Sequence, residues 1–144
     1  MHDAQAFDLY TLMDHYHQGE ILNDYTCSQC GSQNSTVKTL SIIALPRVLV
    51  IHLSRFRGLH KIDSYVRFPA QASIKYKIDN NVYNTQYRIT GIVVHKGPSI
   101  AQGHYISYVR AGETWFKADD GTITGVLWST VCRKRAYMLF YEQF

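Results

Sequence analysis

His104, Asp119 and Asp120 are the residues whose types and spacing could support catalysis. A carboxylate beside one imidazole nitrogen fixes the tautomer, stabilises the imidazolium and leaves the other nitrogen free to act as a base. Such a pair forms two members of a nucleophilic triad, and Gly103 before the histidine would let a substrate backbone approach closely. A plainer interpretation is a surface ion pair worth under about 1 kcal/mol, with the two aspartates in an ordinary turn.

The register of a predicted hairpin decides which carboxylate lies beside His104. One strand begins at His104 and the next ends at Asp119, and the connection at 111–113 is too short for a parallel crossover. Loops of two residues (111–112) and of four (110–113) give the same register, which puts His104 directly opposite Asp119. A three-residue loop puts Asp120 opposite His104 instead. Each of these loops therefore predicts a carboxylate next to His104.

The three cysteines are the other residues with possible chemistry. Cys27 and Cys30 form a C-x-x-C pair, which is half of the four-ligand set that structural zinc prefers. His15, His17 and Cys132 could complete the set, although no spacing recommends them, and the alternative is a tight turn with two reduced thiols. Three cysteines do not make a disulfide framework, which favours a reducing compartment such as the cytoplasm or nucleus.

The elements that must position these residues are mostly strands. Residues 8–17 predict one amphipathic helix, capped by Asp8 and followed by Gly19 as a left-handed C-terminal residue. The apolar run 48–53 predicts a strand buried on both faces, or nearly so, and the strand 87–95 should contain a bulge at Gly91. Together the pattern predicts one α+β domain with a mainly antiparallel sheet.

Composition and charge narrow the function classes. The chain has 144 residues, of which 46% are hydrophobic, and a formal net charge of +4. Its densest basic run, residues 133–135, is typical of a solvated loop, so we expect no nucleic-acid partner. No stretch approaches the ~20 apolar residues of a membrane helix, so we expect no membrane association.

Several motifs in series carry a family likeness. They are Gly103-His104-Tyr105, then residues 108–110, 115–120 and 136–141, and upstream of these residues 25–30 and 45–56. Taken in chain order, these motifs resemble the middle and C-terminal regions of the ubiquitin-specific proteases. The resemblance implies an incomplete papain-like fold containing the antiparallel sheet of the palm, part of the fingers and one N-terminal helix. Residues 1–144 would be the C-terminal portion of the catalytic domain, truncated at its N-terminus.

The resemblance also assigns roles to the site residues. His104 would be the general base, Asp119 its orienting carboxylate, and Asp120 a supporting polar residue near the reacting carbonyl. Gly103 and Tyr105 would line the channel for the ubiquitin tail. The segment 97–102 would be a mobile loop that gates this channel. Ubiquitin and ubiquitinated proteins are the partners implied.

The reaction implied is hydrolysis of the isopeptide bond at the ubiquitin C-terminus by a cysteine thiolate. The family's nucleophile motif, of Gly-Asn-Thr-Cys type, does not occur in this sequence. Cys132 is a less favoured substitute, although neighbouring Arg133 and Lys134 could lower the pKa of its thiol. We therefore expect a deubiquitinase in which this chain supplies the histidine and aspartate of the active site, and we expect the isolated chain to be inactive. The alternatives are an inert ubiquitin- or partner-binding module and an unrelated small adaptor. We expect no cofactor, except zinc if a second ligand pair joins Cys27 and Cys30.

Overall fold

The computed structural model describes residues 7–33 and 35–144, with two helices in these ranges. Helix α1 spans Leu9–His17, and Asp8 caps it by accepting a hydrogen bond from the Tyr10 backbone N–H at 3.0 Å. Helix α2, Trp128–Val131, is a single turn that the sequence did not predict. Neither is long and apolar enough to cross a membrane.

Thirteen strands make up most of the remaining structure in the described ranges. In chain order they are β1 (Phe7–Asp8), β2 (Glu20–Leu22), β3 (Thr36–Lys38), β4 (Val48–His52), β5 (Phe56–Arg57), β6 (His60–Lys61), β7 (Val66–Arg67), β8 (Gln71–Ile78), β9 (Asn81–Ser99), β10 (Gln102–Ala111), β11 (Thr114–Asp119), β12 (Thr122–Val126) and β13 (Met138–Gln143). The main sheet has seven strands in the order β12-β11-β10-β9-β13-β4, with β8 also paired to β9. Every pair in it is antiparallel, as predicted.

The long strand β9 organises this sheet, because β8, β10 and β13 all pair with it. Its bulge lies where Gly91 predicted it. Phe140 pairs with Gly91 and Tyr141 pairs with Ile89, so Thr90 is the extra residue on β9.

One face of the sheet forms the core with α2 and the segments before β8. Its innermost side chains are fully buried and include Tyr87, Ile89, Ile92, Leu139 and Tyr141. The two tyrosines reach backbone acceptors, since the Tyr141 hydroxyl donates to the Pro69 carbonyl at 2.8 Å and the Tyr87 hydroxyl donates to that of Pro46. Burial raises the pKa of Tyr141, so its hydroxyl stays a donor.

Two local predictions were wrong. β4 lies at the edge of the sheet, and Val48 and Val50 on one of its faces are 47% and 45% exposed, because no element in the described ranges covers them. Gly19 does not have a positive φ, and the backbone of the helix cap before it is extended. A methyl group on Gly19 would lie 2.7 Å from Val37 Cγ1, so this glycine allows β3 to approach closely.

Candidate active site

The hairpin that carries His104 and Asp119 has a register that the sequence did not predict. Ala111 pairs with Thr114 and Ser107 pairs with Ala118, so the loop is Gly112-Glu113. Gly112 has φ +60°, and a positive φ at the first loop residue alone is typical of a type II′ turn. The observed register is shifted by two residues from that of the two- and four-residue loops and by one from that of the three-residue loop. Both expected pairings, His104 opposite Asp119 and His104 opposite Asp120, were therefore wrong.

A shift of two residues leaves both side chains on the same face of the sheet. The β10–β11 ladder ends at the Ser107–Ala118 pair, so Asp119 lies just beyond it and the two side chains meet diagonally. Nε2 of His104 lies 2.5 Å from Oδ1 of Asp119, a short hydrogen-bond distance. Residues that are diagonal to each other across two strands are ~7–8 Å apart, a separation that these two side chains can bridge. The structure therefore brings together the histidine and carboxylate predicted from the sequence.

Lys117 completes this arrangement and was missed in the sequence. Its Nζ lies 2.6 Å from Oδ2 of Asp119. Hydrogen bonds from Lys117 and then from His104 lower the pKa of Asp119 to about 2. The signal was present, since residues two apart in a strand share a face and Lys117 is two before Asp119.

The ionised state of Asp119 determines the tautomer of His104. A carboxylate only accepts hydrogen bonds, so Nε2 of His104 must carry the hydrogen that it donates to Oδ1. The neutral ring then has its lone pair on Nδ1. Nδ1 is therefore the nitrogen that can take a proton from an attacking group, while Asp119 stabilises the imidazolium.

Asp120 also lies at this site. It is exposed, has φ +51°, and begins the turn between β11 and β12. His104, Asp119 and Asp120 each offer one ligand atom within 4.8 Å of the others, which is spacing that could hold a metal ion. Both oxygens of Asp119 already accept from Lys117 and His104, however, so an ion would have to displace these bonds. The set is better suited to proton transfer than to metal binding.

Gly103 makes a close approach, but to another side chain of this chain. A methyl group on Gly103 would lie 1.9 Å from Nε2 of His95 and 2.7 Å from the Lys96 carbonyl oxygen. The His95 ring is buried and lies 4.9 Å from the ring of Tyr105, which is itself half exposed. Gly103 and Tyr105 are thus neighbours of one buried histidine.

The predicted loop 97–102 is a hairpin. β9 continues to Ser99 and β10 begins at Gln102, and these two residues pair across a two-residue connection. Gly97 makes this possible, because its φ is +145° and a methyl group there would lie 2.3 Å from the Gln102 carbonyl oxygen. The description of this segment as a loop was wrong.

Cys27 and Cys30 lie in a tight turn, in which the Gly31 N–H donates to the Cys27 carbonyl at 2.8 Å. Hydrogen bonds from the Cys30 and Gln29 backbone lower the pKa of the Cys27 thiol. Among residues 7–33 and 35–144, no other histidine, cysteine or acidic residue joins this pair at metal-ligand spacing. His15 and His17 instead bond to Gln18 and Leu40. The donors present fit half of a zinc site.

The thiol of Cys132 is engaged away from His104, at the end of α2. It caps α2 at the C-terminal end, and its thiol donates to the Ser129 carbonyl at 3.6 Å. No hydrogen bond joins it to His104 in the part of the chain that the structure describes.

Comparison with known proteins decides the family. The family model described as ubiquitin carboxyl-terminal hydrolase matches residues 5–141. The chain belongs to this family. Ubiquitin carboxyl-terminal hydrolase 8 of Saccharomyces cerevisiae is 34% identical over 92% of this chain and 32% of its own length. Ubiquitin carboxyl-terminal hydrolase 3 of Homo sapiens is 32% identical, covering 83% of this chain and 25% of its own.

Solved structures give the same result for the fold. The SAGA Ubp8/Sgf11/Sus1/Sgf73 DUB module bound to ubiquitin aldehyde matches with a TM-score of 0.82 at 34% identity, over 96% of this chain and 35% of the other. The predicted fold is thereby confirmed as the sheet-rich portion of a papain-like, ubiquitin-specific protease domain. The chain spans about a third or less of the length of the relatives it matches.

Proposed function

We propose that this chain supplies the His104–Asp119 half of the active site of a thiol-dependent deubiquitinase. The substrate would be an isopeptide bond between the C-terminus of ubiquitin and a lysine amine. The observation that carries the proposal is the 2.5 Å contact between Nε2 of His104 and Oδ1 of Asp119, with Lys117 holding the carboxylate ionised. An inert binding module has no need of this three-residue arrangement, so the inert alternative is not favoured.

The proposed steps use Nδ1 of His104 as the proton carrier. Nδ1 removes the proton from a cysteine thiol, and the thiolate attacks the isopeptide carbonyl. The tetrahedral intermediate collapses, the C–N bond breaks, and the imidazolium gives its proton to the departing lysine amine. Water then attacks the thioester as Nδ1 takes its proton, which releases the ubiquitin carboxylate and the thiol. Asp119 holds the ring in orientation and stabilises the imidazolium at each step.

The nucleophile in this proposal comes from outside the 144 residues. Cys132 is engaged with the Ser129 carbonyl, and Cys27 and Cys30 belong to a tight turn away from the cluster at His104. The chain's coverage of about a third of its relatives supports a cysteine carried by a further segment or by another chain. We further propose that zinc binds Cys27 and Cys30 only together with a second ligand pair from such a segment.

The proposed partner is ubiquitin, since the SAGA DUB module is bound to ubiquitin aldehyde. Its extended C-terminal tail would pass along the backbone at Gly103 and the half-exposed ring of Tyr105. Asp120, exposed beside His104, would interact with polar atoms near the reacting carbonyl. We place the protein in the cytoplasm, the nucleus or both.

The test compares ubiquitin hydrolysis by the protein isolated from its source cells with that of an edited His104→Gln variant. Loss of a general base should lower kcat/KM for a fluorogenic ubiquitin substrate by about 10²- to 10⁴-fold. His60→Gln is the matched control, because His60 is an exposed histidine that pairs with Arg57 in the β5–β6 hairpin. Equal rates for wild type and His104→Gln would refute the proposal. So would turnover by the isolated 144-residue chain that disappears on Cys132→Ala.

A further inference from the structure

A groove with a volume of about 560 Å³ lies next to the His104 strand, and five of its ten lining residues are lysine or arginine. The charged residues that line it are Lys61, Asp63, Lys96, Arg133, Lys134 and Arg135. The run 133–135, which the sequence predicted to be a solvated loop, thus meets two lysines from distant parts of the chain. The fold concentrates positive charge that is dispersed in the sequence.

The net charge of the residues that line this groove equals the formal net charge of the whole chain. Five cations against one carboxylate give an excess of four, which equals the formal net charge of +4 for all 144 residues. The rest of the chain is therefore balanced between the two signs. A concave surface that holds all the excess charge attracts anions more strongly than the same charges spread over the surface.

Several of these cations remain available to a ligand. Asp63 is occupied by Arg135 at 2.7 Å and by Lys61 at 3.6 Å. Lys96 and Arg133, by contrast, have no ion-pair partner among residues 7–33 and 35–144. The ammonium of Lys134 lies 5.7 Å from the centre of the Tyr108 ring, and this lysine is partly exposed.

The groove is adjacent to the candidate active site through β9 and β10. Lys96 is the cross-strand partner of His104. Tyr108, beneath Lys134, points to the same face of β10 as His104. A polypeptide bound in the groove would therefore lie close to the bond that His104 would act on in the proposed function.

We propose that this groove binds an acidic segment of the protein to which ubiquitin is attached, next to the modified lysine. The inference rests on the proposed function, which makes a polypeptide the molecule nearest to Lys96 and His104. An acidic segment tethered through its own lysine has a high effective concentration at the groove, so weak contacts suffice. A duplex nucleic acid would need basic residues along a stripe, whereas these surround one cavity.

The test measures binding by the 144-residue chain and requires no catalysis. Fluorescence anisotropy would follow a labelled peptide rich in Glu and Asp, with its Gln/Asn counterpart as the uncharged reference. The double variant Lys96→Glu/Arg133→Glu reverses two unpaired cations of the groove. The control Lys75→Glu/Lys77→Glu makes the same change in net charge at exposed positions of β8.

We expect the chain to bind the acidic peptide and not its neutral counterpart. The groove variant should weaken binding roughly tenfold, from lost and reversed contacts, while the control keeps the affinity. Raising NaCl from about 50 mM to about 500 mM should also weaken it. Equal losses in both variants would overturn the proposal, as would tighter binding of a single-stranded oligonucleotide that the groove variant abolishes. Hydrolysis by wild type and His104→Gln tests the function separately.

Discussion

Replacing Gly103 by alanine should disturb the site, because the new methyl group has no room there. The new carbon would lie 1.9 Å from Nε2 of His95, whereas ordinary contacts are about 3.4–4 Å, so one of the two must move by about 1.5 Å. The His95 ring is 4% exposed and has Phe56 at 5.5 Å and Tyr105 at 4.9 Å. With the ring enclosed, we expect the backbone at residue 103 to move.

The expected cost follows from this geometry. Overpacking a buried site costs about 1–3 kcal/mol in the free energy of unfolding. The displaced backbone carries His104 with it, and a misplacement of about 1 Å is worth about 10²-fold in rate. Gly103→Ala should therefore lower both the stability of the chain and the hydrolytic rate of the source protein.

Urea unfolding of the purified chain would measure the first effect, and a double-mutant cycle with His95→Ala would assign it. In the His95→Ala background, Gly103→Ala should lower the free energy of unfolding by less than it does in wild type. Part of the loss should remain, because the Lys96 carbonyl oxygen is still 2.7 Å from the methyl position. Gly125→Ala is the control, since its methyl group would meet no atom within 4 Å, and it should change stability by less than about 0.5 kcal/mol. An unfolding midpoint for Gly103→Ala equal to that of wild type would refute the reasoning.

Three further predictions concern the site and the core. The carboxyl of Asp119 should titrate at about 2 by carbon-13 NMR, and nearer its ordinary pKa of 3.8 in the Lys117→Met variant. Because folding lowers this pKa, the contribution of Asp119 to stability should be complete above about pH 4 and lost as pH falls through about 2. An unchanged midpoint in Lys117→Met would contradict this. Nitrogen-15 NMR of His104 at neutral pH should show the Nε2–H tautomer, and Asp119→Ala should give a mixture; a dominant Nδ1–H form in wild type would exclude Nδ1 as the base. Leu139→Ala, at a fully buried position of β13, should cost about 2–5 kcal/mol by urea unfolding, against much less for Val50→Ala on the exposed face of β4, and equal costs would contradict the assigned core.

The sequence was sufficient for the strands and faces of the site but not for its register. Alternation along β10 and β11 put His104 and Asp119 on one face, and an error of two residues leaves faces unchanged. The register itself depended on Gly112, which a type II′ turn places first in the loop rather than second.

Other features could not be predicted because they depend on tertiary structure. The apolar run of β4 looks the same whether its strand is central or at an edge, and only the strand order shows that Val50 is exposed. Helix α2 is one turn long and has no periodicity to detect. The basic groove joins Lys61, Lys96 and Arg133, which are far apart in the sequence.

Covalent labelling with ubiquitin that carries a C-terminal electrophile tests the role of His104 and Asp119 most directly. Such a probe reacts with a catalytic thiolate, and the labelled protein can be identified by immunoblot with an antibody against residues 97–119. We predict a polypeptide larger than 16.6 kDa that gains the mass of one ubiquitin, with labelling greatly slowed in an edited His104→Gln variant. A polypeptide of 16.6 kDa that takes no label, or one that His104→Gln labels as fast as wild type, would contradict this account.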